Sequence, residues 1–236
     1  MISIVTGTLN RKEFLPNLIN NTVNTNKLLE LVLVDGGSSD GTIEYIKQLN
    51  HSQIKLIEVG KRSSYPHFMN LGIQNSKYDL ICQWNDDVLL VNSWDEIINS
   101  ISDEYDFYLF NWKYGNVEGI QCQAWLEGFD YKQGWCLCDG YENGGEIVVN
   151  YGIYNKYIFK NIGLYNMQYN YYYADGDMSY RARSFGYKNK NLYDAKVCSI
   201  KTSKKAIKFN NDYAIYKNNL SLYKNKILPE EVCLLS

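Results

Sequence analysis

The sequence predicts an α/β fold: a three-layer domain built around a mostly parallel central sheet, followed by a C-terminal helical appendage. Three observations predict it. Short apolar or β-branched runs recur at residues 2–6, 29–34, 54–59 and 78–84. Between them, apolar residues repeat at helical spacing. The connections are short, so the order β-α-β-α-β-α-β calls for right-handed crossovers and parallel pairing.

The run 2–6 is rich in Ile and Val and fits a strand covered on both faces. Gly7-Thr8-Leu9-Asn10-Arg11 then turns the chain, and Phe14, Leu15, Leu18, Ile19 and Val23 mark one face of a helix. The second strand, 29–34, runs into Asp35-Gly36-Gly37-Ser38-Ser39-Asp40-Gly41-Thr42. Its glycines permit tight turning and close approach of a ligand. Asp40 or Ser39 is placed to cap the helix that carries Ile43, Ile46 and Leu49. After the third strand, 54–59, the residues Phe68, Leu71 and Ile73 indicate a helix reaching about residue 75. The fourth strand is 78–84.

Beyond it the pattern is less regular. Ile97, Ile98 and Ile101 place a helix over 94–101, and residues 107–112 and 121–126 alternate as strands do. Residues 128–145 read as a loop rich in Gly, Asp and aromatics, Trp135 among them. Aromatic faces of this kind suit the C–H face of a sugar ring and equally suit a core. A strand and a short helix fall within 148–164. A helix over 175–185 follows a tyrosine cluster at 169–173. From Lys201 the chain is basic and then amphipathic. Residues 1–200 are expected to form the main domain and 201–236 a helical extension packed on it, with no Pro/Gly/Ser linker and no internal repeat.

The stretch around which the chain is organised is 76–90, SKYDLICQWNDDVLL. An apolar run ends abruptly in Asn85-Asp86-Asp87. A buried strand with acids at its C-terminal tip places charge at the rim of an open α/β sheet, where ligands collect. Two carboxylates and a carboxamide on adjacent residues suit a hard divalent cation, Mg²⁺ or Mn²⁺, bridging to a polyphosphate. A plain polar turn between two strands is the other reading of the triplet.

Composition narrows the function further. A formal net charge of −2 argues against a nucleic-acid binder, and the one basic run, 201–208, is short. The N-terminus has neither a basic n-region nor a long apolar stretch, and no segment reaches the ~18 apolar residues of a membrane span. A cytoplasmic protein with reduced thiols is therefore expected. Of the six cysteines, Cys82 reads as core, and Cys136 and Cys138 form a C-x-C that matches neither a redox nor a zinc spacing. No G-x-G-x-x-G follows the first strand, which disfavours a dinucleotide fold, and no phosphate-binding G-x-x-x-x-G-K-[ST] occurs. His51 lies in a loop; His67 falls near the acidic stretch but stands alone.

Four stretches, in order over roughly residues 1–195, resemble the GT-A-fold glycosyltransferases of family 2. They are SIVTGTLNRKEFL at 3–15, LVDGGSSDGT at 33–42, Asn70-Leu71-Gly72-Ile73 ahead of the Asn85-Asp86-Asp87 triplet, and YADGDMSYRARSFGYK at 173–188. The resemblance implies roles. Thr8, Arg11 and Asp35 would line the nucleotide pocket, with the Asp35 carboxylate accepting from the base. Lys61 or Arg62 would approach the nucleotide. Asp87 would hold the metal, Mn²⁺ or Mg²⁺, assisted by Asn85 and Asp86, and Asp86 and Asp87 could exchange roles. Asp175 would be the general base, Asp177 its acidic neighbour, and Arg181 the residue one turn on that holds Asp177. The implied reaction is inverting transfer of a sugar from a nucleotide-diphosphate donor, UDP-linked, to a hydroxyl of a glycan or glycoconjugate.

The residues themselves leave plainer roles open: Asp35 as turn former, Asp175 as helix cap, Arg181 as a surface partner of Asp177, and Lys61 and Arg62 as a solvated loop pair. Two departures from the family pattern stand out. Residues 195–204, AKVCSIKTSK, contain no His where many relatives complete the metal site, leaving Asp87 or the charge of Lys201 in its place; and Gly7 replaces a frequent Pro. The alternatives are a nucleotidyltransferase of similar fold, disfavoured by the short turn 7–11, and a catalytically inactive glycan-binding module, which loss of Asp87 or Asp175 would have favoured.

Overall fold

The computed structural model describes residues 1–113, 116–117, 120–121, 135–137, 151–200 and 211–236. The expected aromatic loop at 128–145, apart from 135–137, lies outside these residues, as do most of the expected strand 121–126 and the basic run 201–208.

Four parallel strands form the first half of the sheet: β1 (Ile2–Thr8), β2 (Leu29–Asp35), β3 (Ile54–Glu58) and β4 (Leu80–Gln83). Helices α1 (Leu15–Asn21), α2 (Thr42–Leu49) and α3 (Tyr65–Gln74) connect them, as the periodicity predicts. Ile2, Ile4, Val5 and the whole run Leu31–Val34 are fully buried. Burial on both faces explains why these strands read as continuous apolar runs. Gly72 lets α3 sit close on β1, since a Cβ there would lie 2.2 Å from Val5 Cγ1. Asp40 Oδ1 accepts from the Thr42 N–H at 3.0 Å and satisfies the first turn of α2.

The second half adds β5 (Val88–Leu90), α4 (Trp94–Asn99), β6 (Phe107–Lys113), a β7–β8 hairpin (Asn116–Val117 and Ile120–Gln121), β9 (Trp135–Leu137), β10 (Gly152–Asn155) and α5 (Lys156–Ile162). After these come α6 (Ala174–Ser184), β11 (Asn189–Ser199) and α7 (Asn211–Lys224). The sheet order is β3-β2-β1-β4-β10-β6-β11-β5, with β9 on the free part of β6. Strand β10 enters antiparallel between β4 and β6. Strands β1, β2, β3, β4, β6 and β11 point one way, and β5, β9 and β10 the other.

The chain leaves β1 toward β2 on one side and returns to β4 on the other. That reversal opens a crevice beyond the C-terminal ends of β1 and β4, where open α/β sheets bind ligands. Among the described residues no helix is long and apolar enough to cross a membrane. Cys82 is buried and free, as expected, and Cys233 is free. Cys198 is disulfide-bonded, which departs from the expectation that all thiols are reduced.

Candidate active site

Trp84 fixes the acidic turn at the tip of β4. It is fully buried among Trp94, Phe110 and Tyr151, and its Nε1–H donates to the Val88 carbonyl at 3.0 Å. The Val88 N–H closes back on the Asn85 carbonyl at 3.3 Å. Asp87 is tethered from the other side, its carbonyl accepting from the Ile200 N–H at 2.7 Å where β11 ends. The expected turn between strands is therefore real, but β5 leaves it to pair with β11 instead of folding back on β4. The same turn presents the acids to the crevice.

Asp86 and Asp87 are both buried. Burial raises the pKa of each; the charge of Asp87 raises that of Asp86 further, while Arg11 pulls both down. Arg11, from the turn after β1, places Nη1 3.8 Å from Asp87 Oδ2, and its guanidinium lies over the Phe14 ring. One cation at that distance does not balance two buried carboxylates. Thr8 Oγ1 faces Asp86 from the end of β1 without reaching hydrogen-bond geometry, and Arg11 Nη1 also lacks a hydrogen-bond partner. Asn85 donates its side-chain N–H to the Tyr151 hydroxyl at 3.2 Å.

Among the described residues no group of three or more His, Cys, Asp or Glu side chains gathers to hold a metal. The donor set here is two carboxylates and the Asn85 amide oxygen. That set fits Mg²⁺ or Mn²⁺, which is bound through one or two carboxylates with phosphate and water filling the remaining positions.

Asp35 ends β2 beside Thr8, its register partner on β1. Its Oδ1 accepts from the N–H groups of Gly37 and Ser38, both at 2.8 Å, and its Oδ2 accepts from the Ser38 hydroxyl. The carboxylate is fully buried and holds the turn. Gly37, at φ +88°, lies so close to the Gly60–Lys61 backbone that a Cβ would come within 2.8 Å. The exposed Lys61 thus borders the Asp35 turn, and the exposed Arg62 follows it in the chain.

Asp175 stands in the first turn of α6, 9% exposed; the Gly176 N–H donates to its Oδ1 at 2.9 Å. Burial pushes its pKa up to about 7, against the backbone N–H groups of Gly176 and of Asp175 itself, which lower it. Its charge reaches the hydroxyls of Tyr65 and Tyr165. Tyr65 stacks edge-on against both Tyr165 and Tyr171, with ring centroids 6.0 Å apart in each case. Tyr171 in turn lies within reach of the charges of Asp87, Asp86 and Arg11. The acidic turn and Asp175, nearly 90 residues apart in sequence, therefore flank one pair of tyrosine rings.

Asp177 faces the other way. Its carboxylate accepts from the hydroxyls of Tyr169 and Tyr223 and from Asn219 Nδ2, at 2.8–3.1 Å, and so holds α7. Arg181, fully buried, donates through Nη2 to the Leu164 carbonyl at 2.6 Å and influences Asp177 by charge alone. Arg181, expected to hold Asp177, is thus replaced in that role by Tyr169 and by Asn219 and Tyr223 of α7.

Sequence reasoning assigned no role to Tyr65, Tyr151, Tyr171 or Asp212. The cluster at 169–173 was the available signal for Tyr171. Nothing in the motif-free C-terminal stretch pointed to Asp212. Asn70, read only as part of a motif, pins the segment before α6 by a reciprocal pair with the Tyr165 backbone, both bonds 2.9 Å.

The sequence profile of "Glycosyl transferase family 2" matches residues 3–136, more than half of the chain. The chain belongs to this family. It is a glycosyltransferase of GT-A fold, and membership sets the nucleotidyltransferase reading aside. No curated protein matches the family 2 chain by sequence. Among solved structures, residues 1–349 of S. aureus TarS in complex with UDP-GlcNAc superpose with a TM-score of 0.72 at 15% identity, covering 98% of this chain and 68% of that one. The mannosyltransferase PcManGT from Pyrobaculum calidifontis, in complex with GDP-Man and Mn²⁺, gives 0.63 at 11% identity, covering 94% and 69%. A longer TarS structure gives 0.68 at 14% identity, and the family 2 chain spans 40% of it. At these identities the likeness is one of fold.

Proposed function

We propose that the chain transfers a sugar from a nucleoside-diphosphate donor, UDP-linked, to a hydroxyl of a glycan or glycoconjugate, with inversion at the anomeric carbon. The observation that carries this reading is that Asp175 acts on Tyr65 and Asp86-Asp87 act on Tyr171, two rings in edge contact with centroids 6.0 Å apart. Thr8, Arg11, Arg62 and the turn held by Asp35 line the nucleotide end. Asp87, with Asn85 and Asp86, would hold Mn²⁺ or Mg²⁺. When bound, the cation neutralises charge that develops on the leaving diphosphate.

Asp175 takes the proton of the acceptor hydroxyl, whose oxygen forms a bond to the anomeric carbon from the face opposite the diphosphate. The bond from that carbon to the diphosphate oxygen breaks, and its electron pair leaves with the diphosphate. Arg11 supplies fixed positive charge at the site where that negative charge develops. A carboxylate with its pKa raised by burial is a better base near neutral pH than an ordinary Asp. Incubation with UDP-glucose, UDP-galactose, UDP-N-acetylglucosamine and GDP-mannose plus Mn²⁺ tests the reading. Nucleoside diphosphate should be released from at least one donor, and no release from any donor would refute it.

A further inference from the structure

The segment just ahead of α6 is held by a residue from the far end of the chain. Asp212, fully buried in the first turn of α7, accepts from the N–H groups of Asn170, Tyr171 and Tyr172 at 3.1, 2.8 and 2.9 Å. The Asn170 carbonyl accepts from the Tyr65 N–H at 2.9 Å, tying the same segment to the start of α3. One carboxylate gathering three consecutive backbone donors fixes both position and direction of the loop. The side chain thereby presented is Tyr171. It remains 44% exposed, although its backbone is anchored on both sides. Its ring leans on Tyr65 on the Asp175 side, and its hydroxyl feels Asp87 and Asp86 on the other.

A diphosphate held at Asp87 and an acceptor hydroxyl held at Asp175 leave only the transferred sugar to lie between them. This step rests on the function proposed above. We infer that Tyr171 is the side chain that contacts the transferred sugar, and that Asp212 is the positioning residue that sets it there from the C-terminal helix. The ring offers apolar surface to sugar C–H groups. The C-terminal helix is then part of the donor site, through a single carboxylate.

The test compares affinities for the nucleoside diphosphate alone with those for the intact nucleotide sugar, both with Mn²⁺, by calorimetry. The donor is whichever of the four named above the wild-type chain turns over. Tyr171→Ala should weaken the nucleotide sugar about tenfold and leave the nucleoside diphosphate within about twofold, because the lost contact is to the sugar only. Asp212→Asn should show the same selectivity, and the double variant should be no worse than Tyr171→Ala, since Asp212 acts through Tyr171. A merely structural Asp212 would weaken both ligands together and add to the loss from Tyr171→Ala, overturning the positioning role. Tyr171 is exposed enough for its variant to fold even if Asp212→Asn does not. Equal nucleotide-sugar affinity in wild type and Tyr171→Ala overturns the sugar contact while leaving the glycosyltransferase reading intact. No turnover of any donor by the wild type overturns both.

Discussion

The two faces of α6 carry carboxylates of different kinds. Asp177 is fully buried, and donors from Tyr169, Asn219 and Tyr223 surround it. Asp175, two residues earlier and also buried, has, among the described residues, only backbone N–H groups of its own helix turn as donors. Burial raises the pKa of both. The difference lies in the partners. A buried carboxylate surrounded by fixed donors is an anchor, whose removal leaves those donors stranded. One left with spare acceptor positions is poised to take a proton from something that arrives later.

The largest effect expected from this contrast is on turnover. Asp175→Asn should lower kcat by about 10²–10⁴ while nucleoside diphosphate affinity stays within about twofold, as read by steady-state kinetics and calorimetry. Transfer that survives Asp175→Asn would erase the distinction between the two faces. Asp177→Ala should do the reverse. It strands two phenols and an amide, costing about 3 kcal/mol in urea unfolding. A loss of stability below about 1 kcal/mol would show that Asp177 is not the anchor of α7.

The pH dependence sharpens the contrast. The folded pKa of Asp175 is raised from 3.8 to about 7. Between those values the folded chain holds a proton that the unfolded chain has lost. The stability contributed by this group is therefore complete below about pH 4, falls as pH rises through 7, and is level above it. Activity should climb over the upper part of the same window as the base ionises. Asp175→Asn removes the titration, so its stability relative to wild type should grow between pH 4 and 7 and then stay constant. Urea denaturation of both proteins at pH 5 and pH 8 measures this, and equal differences at the two pH values would place the titration elsewhere.

The same contrast explains what could be read in the sequence. The parallel half of the sheet was legible because β1 and β2 are buried on both faces and read as continuous apolar runs, and the connecting helices have one apolar face, so period and length suffice. Strand β11 (NKNLYDAKVCS) was not: it is long, polar in much of its length, and carries a register shift between Leu192 and Lys196. The antiparallel entry of β10 was illegible for another reason, since pairing partners are long-range. Asp86 and Asp87 stood out because acids that end an apolar run are conspicuous, and Asp175 stood out through the resemblance of residues 173–188 to the family motif. Asp177 was assigned to Arg181 because a helix makes residues four apart adjacent, yet its donors are Tyr169 ahead of the helix and two residues of α7, more than 40 residues away. Asp212 offered no local pattern at all, because what it binds is backbone.

Asp35 is the carboxylate on which the contrast makes its finest distinction. It was expected to accept from the nucleotide base, yet its oxygens already accept from Gly37, Ser38 and the Ser38 hydroxyl. By its partners it sorts with Asp177. Asp35→Asn keeps Oδ1 for the two backbone donors, and the Ser38 hydroxyl can rotate to accept from the new amide. Stability should therefore change by no more than about 1 kcal/mol, and nucleoside diphosphate affinity by no more than about threefold. A loss of tenfold or more in affinity, with stability unchanged, would show that the carboxylate also meets the base. Asp35 would then join Asp175 among groups that wait for substrate, and the number of donors around a buried acid would no longer suffice to tell anchor from active residue.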